Sequence, residues 1–140
     1  MKRKTMLLAL SGLLVLTSPA YATEGAYSST TNAPDITLKN QWYQKNFPVI
    51  SGTPSTGKIG VVYYNWAFSR TQQGLKVSLC TSANTMCVNI GNSNSGSVDL
   101  STYNLAPNQV LSMKAIVEGT GTMVPVYGYQ SQIIVNYKFN

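Results

Sequence analysis

Two cysteines, four carboxylates and no histidine bound the chemistry open to this 140-residue chain. Without histidine there is no Ser-His-Asp or Cys-His arrangement, and the usual zinc donor sets are missing. Asp99 and Glu118 are the only acids in the second half of the chain. A glycosidase needs two carboxylates across a cleft, so this pair is formally available. Each lies near an expected strand end or turn, where a solvated carboxylate is the plainer reading. Residues 52–58, GTPSTGK, come close to a phosphate-binding loop, but Ile59 stands where the Mg²⁺-binding Ser or Thr belongs. A strand pattern follows in place of a helix, so no helix N-terminus faces the phosphates, and a Pro-Ser-Thr-Gly turn accounts for the residues better. Nothing marks a Ser-Lys dyad. The residues describe a binding or structural module, not an enzyme, with no cofactor and no metal site.

The cysteines belong to an element that organises the rest. Leu75, Val77 and Leu79 alternate with polar residues, as do Met86, Val88 and Ile90. A period of two marks a strand with one buried face. Ser82, Ala83, Asn84 and Thr85 suit a turn between the two runs. Cys80 and Cys87 then stand at facing ends of a hairpin, close enough for a disulfide. The other reading is a pair of buried thiols. A bridge closing so short a loop stabilises a fold by about 2–3 kcal/mol on the chain-entropy account.

Further strands are expected along the chain. Residues 23–34 read as a loose start or a short edge strand, and 36–39 as a short strand. Residues 48–53 read as a strand that begins on a proline. Residues 59–69 form the longest candidate, with Val62, Tyr64, Trp66 and Phe68 on one face and Val61, Tyr63 and Ala67 on the other. Residues 91–97 read as a loop and 98–103 as a short strand. Residues 109–118 place Leu111, Met113, Ala115 and Val117 on one face; 132–139 do the same with Ile133, Val135, Tyr137 and Phe139. The composition is rich in Val, Ile, Thr, Tyr, Ser, Asn and Gly. About eight strands at short spacing predict an all-β fold: a single-domain antiparallel β-sandwich over residues 23–140, with one hairpin disulfide.

The start of the chain has a different character. Lys2, Arg3 and Lys4 precede an apolar run over residues 6–16, then Pro19 and Ala20-Tyr21-Ala22. This is the pattern of a signal peptide, residues 1–22, cleaved after Ala22. Export of a chain with two cysteines points to the periplasm. Removing the three N-terminal cations leaves seven basic residues against four acids, a net charge of +3 in place of +6. The cations are scattered singly, so no nucleic-acid stripe forms. No other apolar segment is long enough for membrane insertion after cleavage.

Trp42, Tyr43, Tyr127 and Tyr129 are the candidate binding surface; Tyr63 and Tyr103 could join such a platform, and core packing is the competing use of all six. Glu24-Gly25-Ala26-Tyr27, Asn65-Trp66-Ala67-Phe68, the run from Gly74 to Cys80 with Cys87-Val88, Val124-Pro125, and the run from Gln130 to Tyr137 together resemble the flagellar protein FlhE family. The similarity covers most of residues 23–140 in order and is weakest over 35–58. It implies a periplasmic, β-rich accessory protein of flagellar assembly. Such a protein limits proton leak through the flagellar export apparatus and, chaperone-like, keeps filaments from assembling in the periplasm. It further implies a rod, hook or export-apparatus protein as partner, met at a sheet edge or apolar patch, and a stable monomer. Two other classes compete: a fimbrial pilin, with its alternating C-terminal strand and penultimate-type aromatic Phe139, and a carbohydrate-binding module centred on Trp42.

Overall fold

The structure is a computed structural model that describes residues 23–139; the expected signal peptide lies outside the described residues. Eight strands follow one another: β1 (Glu24–Asn32), β2 (Tyr43–Asn46), β3 (Lys58–Phe68), β4 (Leu75–Thr81), β5 (Cys87–Asn89), β6 (Ser95–Asp99), β7 (Leu111–Val117) and β8 (Gly128–Lys138). They form two four-stranded sheets, ordered β1-β8-β3-β6 and β2-β7-β4-β5. Every pairing is antiparallel. The all-β sandwich expected from alternation is therefore the observed architecture.

The alternating runs point where their period predicts. In β7, Leu111, Met113, Ala115 and Val117 are fully buried, as are Val77 and Leu79 of β4. They face Ile59 and Val62 of β3 and Ile133 and Val135 of β8 within one core cluster. In β3, Tyr63 is exposed on the opposite face from Val62, which matches the two-faced pattern. Polar alternates such as Lys76 and Asn89 stay exposed on the outer face of the second sheet. Fully burying one Leu or Ile is worth about 1.5–3 kcal/mol, so this two-sided layer supplies the main driving force for the fold.

The cysteine hairpin forms as expected. Cys80 and Cys87 are directly paired in the β4–β5 register and joined by a disulfide, with Cα atoms 4.1 Å apart. The turn between them is held by Thr81, whose Oγ1 accepts the Thr85 N–H at 2.9 Å, while Asn84 takes a left-handed conformation (φ 61°).

Four expectations need correction. Of the two readings of residues 23–34 the edge strand holds, but it is long where a short one was expected: β1 spans nine residues and pairs with β8 along its whole length. Residues 36–39 make only an isolated bridge, Ile36 to Val126, before the chain turns at Asn40 (φ 62°). Residues 48–53 are not a strand. Phe47 donates the last ladder-like bond, to Leu111 O at 2.8 Å; Pro48 has no N–H to continue it, and Thr53 folds back onto Ile50 O. The strand expected over 98–103 is displaced toward the N-terminus. β6 starts at Ser95, inside the expected loop, and residues 101–103 form a 3-10 turn instead.

Glycine is required where the strands crowd one another. Gly57 enters β3 with φ 122°, and a Cβ there would lie 2.0 Å from Lys138 O. Gly128 starts β8 so close to β1 that a Cβ would lie 1.7 Å from Ala33 O.

Candidate functional site

The two carboxylates that sequence offered for chemistry are held apart. Asp99 ends β6 of the first sheet, paired with Val61 near the start of β3. Its Oδ1 accepts the N–H of Ser101, the first residue of the following 3-10 turn, at 2.9 Å. That backbone bond, with the Ser101 hydroxyl and the nearby Lys58 cation, holds the carboxyl below its ordinary range, against a small opposing desolvation. Glu118 follows β7 of the second sheet, at the opposite end of the sandwich, and its Oε1 pairs with Lys76 Nζ at 2.8 Å. Both side chains are exposed, so the pair contributes at most about 1 kcal/mol. Among the described residues Asp99 and Glu118 line separate grooves, and each has a structural or solvated role. The loop over 52–58 leads directly into strand β3, as the reading against a phosphate site requires.

The candidate aromatics divide among three environments. Tyr43 is a strut: its ring packs against the core, and its hydroxyl lies 3.0 Å from Thr37 Oγ1 and accepts the Leu38 N–H at 3.1 Å. Trp42 lies beside the outer face of the second sheet with its ring half exposed, and Lys114 Nζ sits 5.1 Å from the ring centroid. Together with Lys76, Ser78 and Asn89 it lines a shallow groove of about 350 Å³. Tyr127 and Tyr129 stand at the sandwich end where β3 gives way to β4 and β7 to β8, with exposures of 53% and 54%.

That end carries exposed apolar side chains among polar ones and is tightly held. The bridge between Ile36 and Val126 sets Leu38 and Val124 two residues beyond it on either side, and both are strongly exposed. The backbone beneath them is pinned at several points. Ser69 N–H donates to Tyr127 O at 2.8 Å, Tyr127 N–H donates to Ser69 Oγ at 3.0 Å, and Gly128 N–H donates to Asp35 Oδ1 at 2.9 Å. The Arg70 guanidinium donates to Val124 O. On the facing turn, Asn40 Nδ2 donates to Gly119 O at 2.8 Å and Lys39 Nζ to Thr120 O at 2.7 Å. Leu38, Val124, Tyr127 and Tyr129 are therefore exposed apolar side chains on a firmly bonded backbone, and such groups cost little ordering entropy to bury. Local pattern marks neither Leu38 nor Val124, because their place beyond the bridge depends on a pairing between residues 90 positions apart.

A larger groove of about 740 Å³ crosses the outer face of the first sheet, lined by Glu24, Gly60, Tyr63, Asp99, Asn136 and Lys138 among others. It follows a β-bulge in β3, where the register with β8 shifts between Ile59 and Val62. Asn136 Nδ2 donates to Val61 O at 3.0 Å and so occupies an acceptor beside the bulge. Its charged side chains carry both signs and select no ligand class.

No protein-family model matches the sequence, and no curated protein matches it. Among solved structures, that of FLHE is similar with a TM-score of 0.68 and 21% identity, over 84% of this chain and 99% of that chain. The structure of infectious bursal disease virus, Gx strain, is a looser likeness, with a TM-score of 0.47 and 11% identity over 97% of this chain and 37% of that chain. The sandwich described above thus has the FLHE fold, shared along nearly the whole of that protein's chain.

Proposed function

We propose that this chain is a flagellar accessory protein that works in the periplasm. The observation that carries the proposal is the likeness to FLHE over 99% of that chain. The Cys80–Cys87 disulfide fits an oxidising compartment and agrees with the basic-then-apolar pattern of residues 1–22. In finer terms, the protein limits proton leak through the flagellar export apparatus and keeps filaments from assembling in the periplasm. Its partner is a rod, hook or export-apparatus protein that covers Leu38, Val124, Tyr127 and Tyr129.

The pilin reading is disfavoured by the sheets themselves. A pilin lacks one strand of its sandwich and receives it from a neighbour. Here β8 fills the interior of the first sheet, paired with β1 on one side and β3 on the other. The carbohydrate reading keeps only the half-exposed Trp42 and its shallow groove.

Electron microscopy of a deletion strain tests the proposal, together with cytoplasmic pH after acid challenge. Filaments trapped in the periplasm and excess acidification, both reversed by the wild-type gene, are the expected result. Normal flagella with normal cytoplasmic pH would sink it.

A further inference from the structure

β1 leaves one long edge of the first sheet open. Ala33 N–H donates to Tyr129 O and Phe139 N–H donates to Thr23 O, each at 2.9 Å, at the two ends of the β1–β8 ladder. In an antiparallel pair, alternate residues send both backbone groups to the partner and the rest send both away. These two bonds therefore assign the odd residues of β1 to β8 and turn Glu24, Ala26, Ser28, Thr30 and Asn32 outward. Among the described residues, nothing bonds to the outward backbone groups of these five.

This edge also lacks the usual protection. Exposed edges are blunted by shortness, lysine, proline or bulges. β2 is four residues long, carries Lys45 and runs into Pro48; β5 has three residues and β6 has five. β1 has nine residues, no Lys, Arg or Pro, and an unshifted register with β8. Its side chains near the edge are small: Gly25, Ala26, Ser28, Ser29 and Thr30.

We infer that this edge is a pairing site for a second copy of this chain, β1 against β1, joining two four-stranded sheets into one of eight. The strand is self-complementary. About a two-fold axis through Ser28, Glu24 faces Asn32, Ala26 faces Thr30 and Ser28 faces itself. All five outward residues of one copy meet the five of the other. Each residue supplies one donor and one acceptor, so five donors from each strand make ten bonds. No like charges are opposed, because Glu24 is the only charged residue in β1. An axis through Thr30 would oppose Ala26 to Pro34, which has no N–H. An axis through Ala26 would leave Thr30 and Asn32 without described partners. The Ser28 axis alone pairs the whole strand. The proposal goes beyond the flagellar reading and replaces the single-copy state expected from the resemblance. It leaves the exposed apolar side chains at the sandwich end free for a different partner.

Sedimentation equilibrium over a concentration series tests it on the full exported chain. The expected result is a mass that doubles from one chain to two as concentration rises; a one-chain mass throughout would overturn the proposal. Ser28→Pro removes an outward donor and leaves every backbone bond to β8 in place, losing only the bond that Gln132 Nε2 donates to Ser28 Oγ, so it should hold the mass at one chain. Should proline unfold the strand, cysteine variants report the register directly. Ser28→Cys should form a self-crosslinked dimer under oxidising conditions, whereas Thr30→Cys, which faces Ala26, should not. Absence of the Ser28→Cys dimer, or equal crosslinking by both variants, would overturn the pairing.

Discussion

Tyr27 buries its ring in the core, yet its hydroxyl has no hydrogen-bond partner among the described residues. Burial, helped by the neighbouring Tyr137 phenol, pushes its pKa up to about 12 from an ordinary value of 10.0. The folded state thus holds this proton through a pH range in which the unfolded chain has lost it. The stabilising effect is fully present below about pH 10 and disappears as pH rises through about 12. A fall in urea midpoint across that window is expected for the wild type and should be reduced in Tyr27→Phe. Removing an unsatisfied buried hydroxyl should also raise stability near neutral pH, by about 1 kcal/mol. A destabilised Phe variant would show that the hydroxyl has an acceptor after all. The aromatic candidates show what can be read at this scale. Residue type marks Tyr43 and Tyr127 alike as possible surface groups. Only the placement of Thr37 and Leu38 around the Tyr43 hydroxyl makes one a strut and leaves the other free.

The β4–β5 hairpin is the element most completely legible in sequence, because its pairing is local. Seven positions separate the cysteines, and two alternating runs plus a polar turn define both register and bridge. Reducing the disulfide, or replacing both cysteines with serine, should cost about 2–3 kcal/mol in a denaturant melt. A change well below 1 kcal/mol would mean that the β4–β7 ladder already holds the hairpin closed without the bridge. The element that sequence reads least well is β1. Its side chains, Ser, Thr, Gly and Ala among them, carry little hydrophobic alternation. Its strand state is imposed from outside by β8, through pairing between residues 98 to 114 positions apart. The isolated bridge at Ile36 and the turn at 48–53 follow the same logic. Local pattern permits a strand there, but Pro48 and the left-handed Asn40 end the pairing.

At the scale of the whole molecule, two layers close over one core, and loops gather at each end. The end carrying the exposed Leu38, Val124, Tyr127 and Tyr129 is the contact surface proposed above for a flagellar partner. Replacing Tyr127 and Tyr129 together with serine should leave the melting temperature within a few degrees of wild type, since both side chains already face water. The same variant should fail to restore normal filaments to a deletion strain. Full restoration by a stably expressed variant would move the contact elsewhere. Core substitutions should behave in the opposite way. Leu79→Ala, at a fully buried position, should lower stability by about 2–5 kcal/mol through lost transfer energy and a residual cavity.

By itself the sequence determined the β class, the inward faces of β4, β7 and β8, the cysteine hairpin and the lack of histidine-based chemistry. Each of these is local: a period of two, a turn, a residue count. Only the tertiary structure decided which strands neighbour one another. It placed Asp99 and Glu118 at opposite ends, bridged Ile36 to Val126, and made β1 an open edge. The physical reason is that hydrophobic alternation sets which way a side chain points but leaves the choice of partner strand open. That choice is made by long-range backbone pairing and close packing, at Gly128 against Ala33 for instance, where no local pattern records the contact.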